Sequence, residues 1–215
     1  MRPSGTTAIW SASTWRKLAL IVSTYPGRPD QIAHAVGLDG PASAVEIVRH
    51  LWSAGYAIPE PPSNANVLIE GFVSSLQFPP PAQEEQGESW SLAEYEAAFA
   101  SLPEAFRSAA ISAWGAPEED PAFANGAICL PLSTFGNLLI CLQPERGHLT
   151  DRKSAYHDPN LPPRHGYIAF YLWLRERAHI DALIHLGAHG TLESLPGRAT
   201  ALSQACAPRA LLGPL

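Results

Sequence analysis

The stretch Asp181-Ala-Leu-Ile-His-Leu-Gly-Ala-His-Gly-Thr-Leu-Glu193 decides how this chain is read, because an apolar run opens there into two histidines, two glycines and a glutamate. Residues 181–186 have the length and composition of a buried strand, and Gly187 and Gly190 give the backbone freedom to turn at positive φ. On a continuous helix, spacings of four and eight residues would stack His185, His189 and Glu193 on one face. Two glycines in that helix would cost about 1 kcal/mol each relative to alanine. A strand ending near Leu186, a glycine turn and a new element from Thr191 is expected instead. Full extension would hold the two imidazoles about 13 Å apart, so the turn is required if they are to share one ion. The motif then lies at the carboxyl end of a strand, the edge at which open α/β sheets bind ligands. Imidazole and carboxylate suit Zn, Co, Fe or Ni and also move protons near neutral pH. The plainer alternative is a core histidine beside a solvated glutamate.

Just upstream, residues 165–177 read as a helix whose Tyr167, Phe170, Tyr171 and Trp173 surround most of its circumference. Such a helix is buried on more than one side or faces a large flat ligand. Before it, an irregular segment from Gln143 to about Pro163 carries His148, Asp151, Arg152, Lys153, Tyr156, His157 and Asp158. Long loops this rich in ionisable groups are functional or disordered, and the neighbouring motif favours function. The order loop, helix, strand, turn brings His157, Asp158 and His165 within reach of His185 and His189.

Further out, residues 17–24, 127–132 and 137–142 read as apolar strands, with 133–136 joining the last two and Cys129 and Cys141 as small buried residues. A helix over 41–54 has Pro41 in its first turn and an apolar face of Val45, Val48, Leu51 and Trp52. Helices are also expected over 64–76, 91–99, 104–113 and 199–207, with Tyr95, Phe99, Phe106 and Ile111 facing the core. Glu118-Glu119-Asp120 reads as an acidic loop, and neither His34 nor His50 is given a role. The expected class is α/β: a short, mainly parallel sheet with flanking helices and long Pro/Gly-rich loops. Residues 1–16 read as a leader, 17–76 as a first α/β segment, 77–90 as a linker or insertion, and 91–215 as a helical pair plus the α/β segment that carries the motif.

Composition narrows the function classes. With 46% hydrophobic and 16% charged residues among 215, a substantial core is expected. The net charge of −6 and scattered Lys and Arg argue against a nucleic-acid partner. Three widely spaced cysteines without a CxxC pair fit a reduced, cytoplasmic setting. Neither a signal peptide nor a membrane helix is visible. There is no Gly-Lys pair and so no P-loop, and GxGxxG, HExxH and GxSxG are missing too, so no nucleotide-binding residues are expected.

The segment YHDPNLPPRHGYIAFYLWLRERAHIDALIHLGAHGTLESLPGRATALS closely resembles the family of aerobic cobaltochelatase large subunits and magnesium chelatase H subunits. WGAPEEDPAF, FGNLLICLQPERG and LALIVSTYPGRPDQIAHAVGLDGPASAVEIVRHLWSAGY extend the resemblance to about residues 17–215. It implies ATP-dependent insertion of Co²⁺ into hydrogenobyrinic acid a,c-diamide during cobalamin biosynthesis. Co²⁺ is the substrate metal, and Mg-ATP is handled by two AAA+ motor-type partner subunits, in keeping with the missing P-loop. The family's HxGxHGxxE motif falls on His185, Gly187, His189, Gly190 and Glu193. Carried over, His185, His189 and Glu193 guide or ligate the metal, and His189 and Glu193 are the catalytic candidates. His157, Asp158, His165, Tyr167, Tyr171, Gly187 and Gly190 become tetrapyrrole-binding candidates. Two positions depart from the family: Ser194 stands where a bulky residue is usual, and Arg198 replaces a lysine. Arginine keeps the charge with a different geometry. Family members are large multidomain proteins, so this chain reads as a fragment or truncated form. The competing readings are a zinc-dependent hydrolase and a non-catalytic chelatase remnant.

Overall fold

Leu18, Leu20 and Val22 point to one side of the first strand and Ala19 and Ile21 to the other, and both sides are buried. That strand, β1 (Leu18–Val22), is thus central, with apolar layers above and below. The computed structural model describes residues 14–23, 37–61, 88–148, 158–187, 192, 195–197 and 206–213. The leader up to residue 13, the expected helix over 64–76 and the linker up to residue 87 lie outside them.

After β1 come α1 (Gly40–Ser53), β2 (Glu88–Ser91), α2 (Leu92–Ala100), α3 (Glu104–Trp114) and a 3₁₀ turn (Pro117–Glu119). Then follow β3 (Phe123–Ala124), β4 (Ala127–Leu130), β5 (Leu132–Phe135), β6 (Leu138–Leu142), α4 (His165–Glu176), β7 (Ala182–Leu186) and α5 (Ala207–Leu212). The main sheet has the order β5-β6-β1-β7; β1 runs parallel to β6 and β7, and β5 joins β6 as an antiparallel hairpin. A smaller antiparallel sheet has the order β2-β4-β3.

One face of the main sheet meets α1, where Ala44, Val45 and Val48 close over Leu18, Leu20, Val22, Leu138 and Ile140. The α1 helix starts where Asp39 accepts a hydrogen bond from Ala42 N–H at 2.9 Å, with proline in its first turn. The opposite face meets α4, which lies among the main sheet, the smaller sheet, α2 and α5. Every residue of α4 from His165 to Leu174 is buried, which resolves the aromatic circumference in favour of burial on all sides. Gly166 permits the close approach at its start: a Cβ there would come within 2.8 Å of the Ala122 Cβ.

Several expectations are corrected. Ile111 is 50% exposed, because the buried side of α3 follows Phe106 and Ala110 at four-residue spacing and a fifth step turns off that face. Trp52, in the last turn of α1, is also 42% exposed, although it follows the spacing of Val45 and Val48. Residues 133–136 are no mere connector, since Ser133, Thr134 and Phe135 pair with β6. Cys129 is only half-buried, whereas Cys141 is fully buried, as expected. Asp120 is buried and accepts hydrogen bonds from Ala122 N–H (2.8 Å) and Gly166 N–H (3.0 Å), so it is not a solvated acid. The described C-terminal helix begins at Ala207, where the expected one ends. β7 forms at 182–186 but is half-exposed, pairing with β1 at the side of the sheet.

Candidate functional site

Because β6, β1 and β7 run parallel, their carboxyl ends lie side by side, and the residues that follow them are Gln143, Ser23 and Gly187. Gln143 N–H donates to Val22 O at 2.9 Å and Ser23 N–H to Leu186 O at 2.8 Å, so the ladder continues one residue past each strand. Gly187 has φ 150°, and a Cβ there would sit 2.4 Å from the Ser23 Cβ. Only glycine lets the motif leave the sheet so close to β1.

His185 stands two residues before that exit, opposite Ile21 in register, and is largely exposed. Its side of the strand is the α4 side, and its Nε2 lies 3.2 Å from the Tyr171 hydroxyl. The two rings meet edge to face at 6.3 Å between centroids. Tyr171 is 1% exposed, and its oxygen accepts a hydrogen bond from Gln143 Nε2 at 2.9 Å. Burial holds the Tyr171 phenol well above its ordinary pKa, with Tyr167 adding to the effect, so it stays protonated. Tyr167 packs at a tilt against Tyr171, 4.9 Å between ring centroids, and its hydroxyl lies 3.5 Å from Gln143 Nε2. An exposed imidazole at the ligand edge of the sheet is thus backed by a buried polar network.

His165 has a different setting. It is fully buried, its Nδ1 lies 2.7 Å from the Tyr95 hydroxyl and its Nε2 3.1 Å from Gly115 O. A neutral ring that accepts from Tyr95 and donates to Gly115 satisfies both contacts. Burial lowers its pKa, which favours that neutral form. His165 therefore ties α2, α3 and α4 together. Asp158 is exposed; its carboxylate accepts from Asn160 N–H at 2.8 Å and its carbonyl from Arg146 Nη2 at 2.8 Å. Of the remaining candidates, His157, His189, Gly190 and Glu193 lie outside the described residues. Among the described residues, no three metal-ligating side chains cluster.

Sequence reasoning did not single out Gln143, Ser23 or Arg146. Gln143 had one available signal, as the first polar residue after an apolar strand expected in a parallel sheet. Arg146 had none: it is completely buried, and its Nη2 reaches Asp158 O and Leu161 O at 2.8 and 3.0 Å. Its own carbonyl accepts from Arg164 N–H at 3.1 Å, so it fastens the far end of the ionisable segment to α4.

The CobN/Magnesium Chelatase family model matches residues 11–215. The chain belongs to this family. It is 43% identical over 207 residues to the aerobic cobaltochelatase subunit CobN of Pseudomonas aeruginosa and 41% identical over 200 residues to that of a Sinorhizobium species. Each match takes in 93% of this chain and 16% of the relative, so the chain spans about a sixth of the length of these curated relatives. The solved catalytic subunit of cobaltochelatase from Mycobacterium tuberculosis superimposes with a TM-score of 0.78 at 32% identity, over 97% of this chain and 18% of that one. At Gly187 the chain leaves a parallel sheet at its carboxyl edge, with the His185 imidazole resting on Tyr171. Among the described residues, no helix is long and apolar enough to cross a membrane.

Proposed function

We propose that this chain is a segment of an ATP-dependent cobaltochelatase large subunit and contributes to the metal-handling part of the site that inserts Co²⁺ into hydrogenobyrinic acid a,c-diamide. The observation that carries the reading is the placement of His185 at the carboxyl edge of the sheet, at the start of the His185-x-Gly187-x-His189-Gly190 run. The named cobaltochelatase relatives support cobalt as the metal.

Metal insertion requires that ring nitrogens lose their protons and that Co²⁺ exchange its water shell for nitrogen ligands. Imidazoles are suitable transient ligands for Co²⁺, and a carboxylate is a suitable acceptor for the displaced protons. His185 and His189 accordingly take the ion, while Glu193, with His189, accepts or steers protons. Asp158, His157 and the glycines border the corrinoid. Tyr167, Tyr171 and His165 support the site from the core, in place of the direct contacts with the ring that the family resemblance implied. Mg-ATP hydrolysis belongs to two AAA+ motor-type subunits in a reduced, cytoplasmic assembly.

Titration of the chain with hydrogenobyrinic acid a,c-diamide, followed through corrinoid absorbance with and without Co²⁺, tests this reading. Saturable binding that Co²⁺ modifies, with the Co²⁺ effect weakened in His189→Ala and Glu193→Ala, is the expected result. A cooperatively melting chain that ignores the corrinoid but hydrolyses esters with Zn²⁺ would overturn it.

A further inference from the structure

Beyond the carboxyl edge of the sheet, an arginine lies over an indole with part of its guanidinium unused. The α4 helix follows β6 and leads into β7, so it runs back against the strands and its first turn stands past that edge. Arg164, immediately before α4, is seven residues from Tyr171. That spacing puts both on one helix face, about 10 Å apart along the axis. Tyr171 is the residue that meets His185, so Arg164 overlooks the same edge from further out. The guanidinium carbon of Arg164 lies 5.6 Å from the centre of the Trp114 ring. That ring is fixed, since its Nε1–H donates to Pro162 O at 2.8 Å, and the exposed His148 imidazole packs against it at 4.8 Å between centroids. Arg164 Nη1 donates to Gly147 O at 3.3 Å, and Nε lies 3.5 Å from Asp120 Oδ2. Asp120 is largely committed elsewhere, because its two oxygens accept from Ala122 N–H and Gly166 N–H at 2.8 and 3.0 Å. Of the five guanidinium hydrogens, the two on Nη2 meet no acceptor among the described residues.

We infer that Arg164, held on Trp114, receives a peripheral carboxylate of the corrinoid and so fixes how the ring is turned as cobalt enters at its centre. A guanidinium held against an aromatic plane with donors to spare suits carboxylate recognition. The side chain is 13% exposed, so it is largely desolvated yet reachable, and a charge-assisted contact is stronger there than in open water. Only the a and c side chains of the proposed substrate are amides, and carboxylates remain on its rim. Those acids stand off from the ring centre, which fits a receptor two helix turns beyond the level of His185. A chain of net charge −6 repels a polyacid, and one placed cation offsets that repulsion at a single orientation of the ring. This assignment rests on the reading of the chain as a corrinoid-handling chelatase segment, and adds which substituents of the ring are recognised.

Two rings titrated into the 215-residue chain separate this inference from that reading. One is hydrogenobyrinic acid a,c-diamide, and the other is the same ring with its remaining carboxylates converted to amides. Binding of each is followed by corrinoid absorbance in the wild-type chain, Arg164→Gln and Arg164→Lys. The wild-type chain should prefer the acid, and Arg164→Gln should weaken binding of the acid by about 10- to 100-fold, the usual effect of losing a hydrogen bond to a charged group. Binding of the amidated ring should change by less than about 2-fold in the same variant. Arg164→Lys keeps the charge without the fork, so its loss should fall between wild type and Arg164→Gln and again be confined to the acid. Equal weakening of both rings would show that Arg164 only supports the fold, and unchanged binding of the acid would remove it from the site. Either result would overturn the inference and leave the chelatase reading standing. A wild-type chain that binds neither ring would contradict the chelatase reading itself. Should Arg164→Gln fail to melt cooperatively, Arg164→Lys decides, since it retains a cation beside Asp120, and an equal effect on both rings there overturns the inference.

Discussion

At the level of single residues, burial separates two histidine–tyrosine contacts, His165 in the core and His185 exposed at the carboxyl end of β7. His165 and His185 both touch a tyrosine hydroxyl, at 2.7 and 3.2 Å, and the second nitrogen of His165 bonds a core carbonyl, that of Gly115. Burial depresses the His165 pKa below its ordinary 6.5, so the unfolded chain binds that proton more tightly than the folded one. Its contribution to stability is intact above pH 6.5 and declines as pH falls from there towards the lower folded value. The melting temperature should therefore drop between pH 7 and pH 5, and the drop should be shallower in His165→Gln, as thermal melts across that range would show. Tyr95→Phe leaves the buried Nδ1 without its donor and should cost about 1–3 kcal/mol, measurable by chemical denaturation. Chain order put His165 within reach of the motif, but nothing local reveals that Tyr95 and Gly115 arrive from elsewhere in the fold to occupy both nitrogens.

Among the elements, β7 and α4 do most to shape the site. Replacing Gly187 by alanine forces a Cβ to within 2.4 Å of the Ser23 Cβ at a φ that side chains rarely adopt. The expected loss is about 1–3 kcal/mol, and Ser23→Gly should recover part of it by removing the opposing carbon, as denaturation of the single and double variants would show. A rescue of this kind would place the contact between the ends of β1 and β7. Phe170→Ala, in the middle of α4, should cost about 3–5 kcal/mol, because Phe170 is fully buried. The aromatic sequence of α4 announced a buried helix, and the apolar runs announced β1, β6 and β7. The short strands β2 and β3 escaped notice: Glu88–Ser91 has one buried side chain, Trp90, and Phe123–Ala124 is two residues long. Neither is long enough to display an alternating pattern.

Across the whole molecule, β1 divides two apolar clusters, with α1 on one side and α4, the small sheet and α2 and α3 on the other. Strand order was not legible, because β1 pairs with β6 and β7 from more than a hundred residues away and periodicity carries no information about such partners. Glycine at 187 and an apolar 182–186 did reveal that a strand ends at the motif, which puts His185 at the carboxyl edge of the sheet. The deeper support from Gln143 was invisible because it depends on β6 and α4 meeting there. The role proposed for this segment is the handling of cobalt during insertion. The most direct test transplants residues 11–215 into the Pseudomonas aeruginosa relative in place of its matching segment. Cobalt insertion is then followed by corrinoid absorbance with the proposed motor subunits and ATP. The chimera should insert Co²⁺, and His189→Ala or Glu193→Ala should slow turnover by about 100-fold or more while corrinoid binding persists. Undiminished insertion by both variants would show that His189 and Glu193 do not handle the metal.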